Sequence, residues 1–302
     1  MIRELSYLSV ALTTATAYLI VRRRWSKSEH RAAHCLHAAL RRDGYAVMRG
    51  FLSADDVAET RAQLARFITT IPKRVGAGTL PAAHVMYDDV ATPGTLKQIQ
   101  QLLEHDRYFG GLMDRLRTVA SEALGEAALP QNMQYFNKPP TDAYATSTVL
   151  RCSRPTPAHQ DGYYWCLEPS GAGGLGGLTM WLALDRADED NGCLRYVVGS
   201  TADGLRPHDF SGVLGFSQTI TDYGEADAAR EVPIVAQPGD LIMHTALLTH
   251  RAGANLTKDR PRRAIGAIFY GASARVDRAR HEARAREIAL RNARLAGQER
   301  PA

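Results

Sequence analysis

The rhythm of apolar and polar positions changes once along the chain, near Pro130. Before it the pattern is helical. Ser53 is a good N-cap, and Asp55 and Asp56 in the first turn suit the positive end of a helix predicted to run to about Thr70. Thr95–Leu103 and Tyr108–Leu124 share that texture, the second ending at Gly125. A basic helix fits Lys27 to about Arg42, a short strand Gly44–Gly50, and a Gly/Pro-punctuated loop Ile71–Pro93. After Pro130 the apolar runs become short and rich in Val, Ile, Thr, Tyr and Trp, with Gly, Pro, Asn and Asp between them. The expected strands are Asn132–Phe136, Leu178–Leu184, Cys193–Val197, Gly215–Ile220, Val232–Val235, Asp240–His244 and Arg263–Tyr270. Regular short strands with turn signals predict a β-sandwich or barrel, mainly β with flanking helices, rather than βαβ units. Gly171–Gly177 is a flexible connection that opens no helix, so it is a poor phosphate-binding loop. Ala274 to about Ala296 reads as a charged, solvated helix.

The N-terminus stands apart. Residues 5–21 carry no charge and are followed at once by Arg22-Arg23-Arg24. Seventeen residues reach the lower limit for a membrane span. Positive charge on the C-terminal side predicts a single-pass anchor with the rest of the chain cytoplasmic, a targeting segment and a soluble or interfacial helix being the alternatives. The chain therefore divides into an anchor or targeting segment (1–26), a main domain (27–273) and a charged C-terminal helix (274–302).

Composition changes this picture little. The chain has 302 residues, 45% of them hydrophobic and 23% charged, as globular proteins do. The net charge of +5 is concentrated in Arg22–Arg24 and the Arg-rich tail. Basic residues are not interleaved with aromatics, so no nucleic-acid partner is expected. Four cysteines without Cys-x-x-Cys spacing read as free thiols rather than a zinc site or disulfide frame.

The candidate chemistry lies in His159-Gln160-Asp161. On an extended strand, residues i and i+2 project to one face, so an imidazole and a carboxylate can reach one cation. His250 and His244 are candidates for a third ligand. His250 lies 91 residues after His159, and a closed sheet would have to bring the two together. Two histidines and one carboxylate leave three open positions, the arrangement of non-haem Fe(II) oxygenases.

An ordered set of short motifs is more specific than the tripeptide. Asn137-Lys138-Pro139-Pro140, His159-Gln160-Asp161, Trp181, Asn191-Gly192-Cys193-Leu194, Gly199-Ser200-Thr201, Pro207-His208-Asp209, Gly239-Asp240, His250-x-x-Gly253-x-Asn255 and Arg262-Arg263-Ala264-Ile265 together resemble the phytanoyl-CoA dioxygenase family over about Gly44–Tyr270. The resemblance implies a double-stranded β-helix, a jelly-roll or cupin-like barrel. It implies Fe(II) as cofactor, held by His159, Asp161 and His250, with 2-oxoglutarate and O2 as co-substrates. It also implies Lys97, Gln134, Trp181 and Arg262 as co-substrate contacts, with Arg262 taking the far carboxylate. One extra residue after His250 leaves Arg260 and Arg263 as alternatives. Gln134 replaces an apolar residue of the family pattern, and Arg251-Ala252 stands where Gly-Ser is common. Related halogenases lack the ligand carboxylate, so Asp161 implies hydroxylation of a small or lipid-like substrate, with release of succinate and CO2. The other reading is a catalytically silent jelly roll that binds metal or ligand at a membrane.

Overall fold

The computed structural model describes residues 36–168 and 175–295. A helix, α1, covers residues 36–43. α2 (Ala54–Gly76) starts on a capping box, Ser53 Oγ accepting from Asp56 N at 3.1 Å. It runs past its expected end at Thr70 and takes Pro72 into its last turns; buried Phe67 and Ile71 keep that end packed. α3 (Arg107–Leu124) is capped by Asp106 and stops at Gly125, whose φ of 75° suits glycine. The expected C-terminal helix is α4 (Arg278–Leu295).

Thirteen strands follow the change of rhythm and extend it backwards. They are β1 (Tyr45–Met48), β2 (Val85–Tyr87), β3 (Leu96–Ile99), β4 (Ala128–Lys138), β5 (Thr156–His159), β6 (Gly177–Ala183), β7 (Leu194–Val197), β8 (His208–Phe210), β9 (Gln218–Ile220), β10 (Glu231–Ile234), β11 (Leu241–Thr245), β12 (His250–Ala252) and β13 (Arg262–Gly271). Seven form one antiparallel sheet in the order β1-β11-β6-β13-β4-β3-β2. Four form a second, β10-β7-β12-β5, and β8 and β9 pair as a hairpin. The two larger sheets make the double-stranded β-helix.

Alternation along β6 builds both layers. Leu178, Met180 and Leu182 enter the core that contains Leu64 and Phe67 of α2 and Leu112 and Leu116 of α3. Trp181 and Ala183 enter the core between the sheets, with Leu194 and Tyr196 of β7. All seven residues of β6 are buried. Expressed per side chain, such burial contributes roughly 1.5–3 kcal/mol for a large aliphatic residue.

Two expectations are corrected here. Thr95–Leu103 is not a helix: β3 occupies Leu96–Ile99, and a short turn over Leu102–His105 follows. All four residues of β3 are buried, so the strand lacks the alternation that would mark it. The single-pass anchor with a cytoplasmic catalytic domain is also corrected. No helix among the described residues is long and apolar enough to cross a membrane. Residues 5–21 lie outside those residues, as does most of the basic stretch from Lys27. Cys152, Cys166 and Cys193 are free, as expected.

Candidate metal centre and its two cavities

His159 ends β5 and His250 begins β12, and the two are direct partners across the ladder. Register thus closes the 91-residue gap: their ring centroids are 4.2 Å apart. Asp161 follows β5 by two residues and turns towards both. Its Oδ1 lies 3.6 Å from His159 Nε2 and 3.8 Å from His250 Nε2. One donor atom from each of the three lies within 4.8 Å of the others.

The tautomers are fixed by the backbone. His159 Nδ1 donates to Pro157 O at 2.8 Å, and His250 Nδ1 donates to Leu248 O at 3.0 Å. Each Nε2 is left as a lone-pair donor facing the carboxylate, the arrangement that ligating histidines use. Burial pushes both imidazoles below their ordinary value, keeping them neutral and ready to ligate. Burial alone would raise Asp161. The hydrogen bond from His244 and the surrounding imidazoles outweigh it and hold the carboxyl well below its usual range.

His244 therefore stands behind the carboxylate rather than as a third ligand. Its Nε2 donates to Asp161 Oδ2 at 3.0 Å, and its Nδ1 accepts from Tyr196 Oη at 2.8 Å. Thr179 Oγ1 donates to the same Oδ2 at 2.5 Å. With Oδ2 doubly bonded, Oδ1 remains for a cation. Thr179 and Tyr196 had no place in the sequence reading. Thr179 could have been found, because it shares a strand face with Trp181 two positions on.

Two cavities meet at the triad. The smaller, about 70 Å3, is lined by Lys97, Lys138, Arg154, Trp181 and Arg262 together with His159, Asp161 and His250. Arg262 is 4% exposed, and its guanidinium lies 5.4 Å over the Trp181 ring. Its Nε is buried with no partner. Burial pulls its pKa down to about 10, so it still carries its charge at neutral pH. Its rivals are engaged elsewhere: Arg260 with Asp188 at 2.8 Å, and Arg263 with Asp185 at 2.8 Å. Lys97 is buried in β3 and pairs with Asp88 at 2.9 Å. Lys138 Nζ donates to Arg154 O at 2.8 Å; burial, then Arg262 and Lys97, push its pKa well below the ordinary lysine value. Asp88 and Lys138 are further residues that the sequence did not single out for a role.

The larger cavity, about 360 Å3, shares His159, Asp161, Thr179, Phe136 and Phe216 with the smaller one. Gln134 lines this side, not the side of Arg262. His281, Ile288 and Asn292 of α4 close part of it, so α4 is not simply a solvated surface helix. Gly266 lines the larger cavity beside Phe136, which borders both: a Cβ there would lie 2.5 Å from Phe136 Cε2.

The arrangement can chemically hold a divalent cation on three neutral-or-anionic donors, beside a buried guanidinium with no carboxylate partner among the described residues. That fits Fe(II) and an α-keto dicarboxylate: the orphaned Arg262 Nε and the positive lining suit the far carboxylate.

Comparison with known proteins agrees with this geometry. A family model described as phytanoyl-CoA dioxygenase (PhyH) matches residues 40–264. The peroxisomal phytanoyl-CoA dioxygenase of Rattus norvegicus is 26% identical over 237 residues, covering 76% of this chain and 66% of that protein. The chain thus spans just under two thirds of that relative. The crystal structure of EvdO2 from Micromonospora carbonacea var. aurantiaca is 25% identical and superimposes with a TM-score of 0.59, covering 80% of this chain and 92% of that one. EctD from S. alaskensis, solved with 2-oxoglutarate and 5-hydroxyectoine, is 21% identical with a TM-score of 0.60, covering 85% and 82%; it shares the fold.

Proposed function

The chain belongs to the phytanoyl-CoA dioxygenase family, and on that premise we propose that it is an Fe(II)- and 2-oxoglutarate-dependent dioxygenase that hydroxylates a small organic substrate. One observation carries the reading. A His-Asp-His donor set opens into a cavity whose far wall holds a buried arginine with no carboxylate partner among the described residues. His159, Asp161 and His250 hold the iron, and Arg262 binds the far carboxylate of 2-oxoglutarate. Trp181 supports the guanidinium plane, and Lys97 adds positive charge to the same compartment while paired with Asp88.

When bound, iron and 2-oxoglutarate supply O2 activation, with oxidation of the keto acid to succinate and CO2. The chain supplies the rest. Pro157 O and Leu248 O orient the imidazoles, while Thr179 and His244 turn Asp161 so that Oδ1 is presented. Phe136 and Phe216, stacked at 5.9 Å, form apolar surface beside the donors and exclude water from it. The larger cavity places the substrate on the open side of the triad.

The test is succinate formation from 2-oxoglutarate with Fe(II) under air, with parallel mass spectrometry of metabolite extracts for one-oxygen gains. Turnover that requires iron and stops on chelation is expected. Bound iron without succinate, coupled or uncoupled, would return the protein to the class of silent binding barrels.

A further inference from the structure

The walls of the larger cavity have an unusual chemistry for a site that would take an acyl chain. Gln98, Gln100, Gln101, Asn132 and Gln134 line it from β3, the residues just after it and β4, and Asn292 from α4. No lysine or arginine lines it among the described residues, and its only carboxylate is the ligand Asp161. Several of these carboxamides have one half, amino or carbonyl, without a partner among the described residues. Gln98 Nε2 donates to Gln134 Oε1 at 2.7 Å, which leaves the Gln134 amino group free among the described residues. Asn132 Oδ1 accepts from Gln101 N at 3.2 Å, which leaves its amino group free in the same sense. Gln98 Oε1 and Asn292 Oδ1 also lack a donor, but both are sealed off from the open space. Aromatic rings supply much of the remaining surface: Tyr164, Trp165, Phe216 and Tyr270.

Each ligand class meets this wall differently. An alkyl chain would desolvate the carboxamides and satisfy none of them. An anion would find no counter-charge. A hydroxyl both donates and accepts, so a ring bearing several can serve the free amino groups and the spare lone pairs of the Gln134 and Asn132 carbonyls alike, while its C–H face packs on an aromatic ring. A volume near 360 Å3 lies within the range of small-molecule sites, ~300–1,000 Å3.

We propose that the larger cavity binds a neutral, multiply hydroxylated ring substrate of the glycoside class, and not an acyl chain or acyl-CoA. The proposal deepens the dioxygenase reading and rests on it. Arg275 and Arg278 line an outer groove next to Tyr270 and His281. An acyl-CoA could place phosphates there, but its chain would still lie along the carboxamides.

The experiment titrates the full-length protein, with Fe(II) and 2-oxoglutarate under argon and again metal-free, with two panels. One holds neutral 4-nitrophenyl hexosides and the other C8–C16 acyl-CoAs. Binding is read by calorimetry and by the shift in melting temperature. Saturable binding of one or more hexosides and none of the acyl-CoAs is expected. Affinity should fall about tenfold in Gln134→Leu and in Gln100→Leu. Gln100 is only half-buried, so its variant remains informative if Gln134→Leu folds poorly. Acyl-CoA binding, no binding by either panel, or hexoside affinity unchanged in both folded variants would overturn the proposal. Because the metal-free titration reads binding alone, failure of the dioxygenase reading shows separately, as absence of iron-dependent succinate in the wild type.

Discussion

The two cavities share a wall yet are built from opposite chemistry. The smaller is cationic and tight: Arg262 and Lys138 are about 4% exposed, and the lining includes Lys97 and Arg154. The larger is about five times the volume, is lined with carboxamides and aromatics, and contains no lysine or arginine among the described residues. A buried unpaired guanidinium is costly unless an anion arrives, so the smaller space selects by charge. Free amides are costly in proportion to how many a ligand leaves unmatched, so the larger space selects by hydrogen-bond count. The first suits one invariant dicarboxylate. The second can be retuned by single side chains.

The largest expected effect comes from removing the shared wall. Asp161→Ala should abolish both iron binding, measured by metal content after gel filtration, and succinate formation. Full activity would sink the triad. Breaking only the charged side is next. Arg262→Met should raise the KM for 2-oxoglutarate by about 10²-fold or more, whereas Arg263→Met and Arg260→Met leave it within a few-fold. A large KM effect at Arg263 instead would transfer the clamp to its neighbour.

Loosening the support behind the wall should cost less. Thr179→Val and His244→Gln are each expected to weaken iron affinity by about 10–100-fold, measured by competition with a chelator, while the fold is retained. The smallest effect concerns pH. Burial pushes His208 down from its ordinary 6.5 to about 4. Its Nδ1 donates to Arg206 O at 2.8 Å, and its Nε2 accepts from Gln160 N at 3.1 Å, between the two ligands. The folded chain refuses a proton that the unfolded chain accepts, so stability is full above pH 6.5 and declines as pH falls towards 4. His208→Gln should flatten that decline in denaturant titrations; an unchanged slope would remove His208 as its source.

The contrast also separates what the sequence disclosed from what it hid. His159, Asp161 and His250 stand in an ordered set of short motifs, and that order pointed to the barrel and the donors. Strand periodicity could not place His250 opposite His159, because pairing register is a long-range property. Lys97 was misread onto a helix: Leu96 and Ile99 are spaced three apart, and every residue of β3 is buried. The choice among Arg260, Arg262 and Arg263 could not be made from spacing. Arg262 is proposed because the fold brings Asp188 and Asp185 within reach of the other two. The role of α4 was hidden because an Ala/Arg/Glu-rich helix looks solvated, while His281, Ile288 and Asn292 reach the larger cavity and Arg284 stacks on Tyr163.

The cross-strand pairing of His159 with His250 has a consequence for assembly. A slip of one residue would send one imidazole to the opposite face, so cation capture acts as a check on correct registration. The binding free energy then accrues wholly to the properly zipped barrel, about 2.7 kcal/mol at a free metal concentration of 100 Kd. Nascent chains maturing in metal-replete surroundings should therefore partition away from mispaired, aggregation-prone forms.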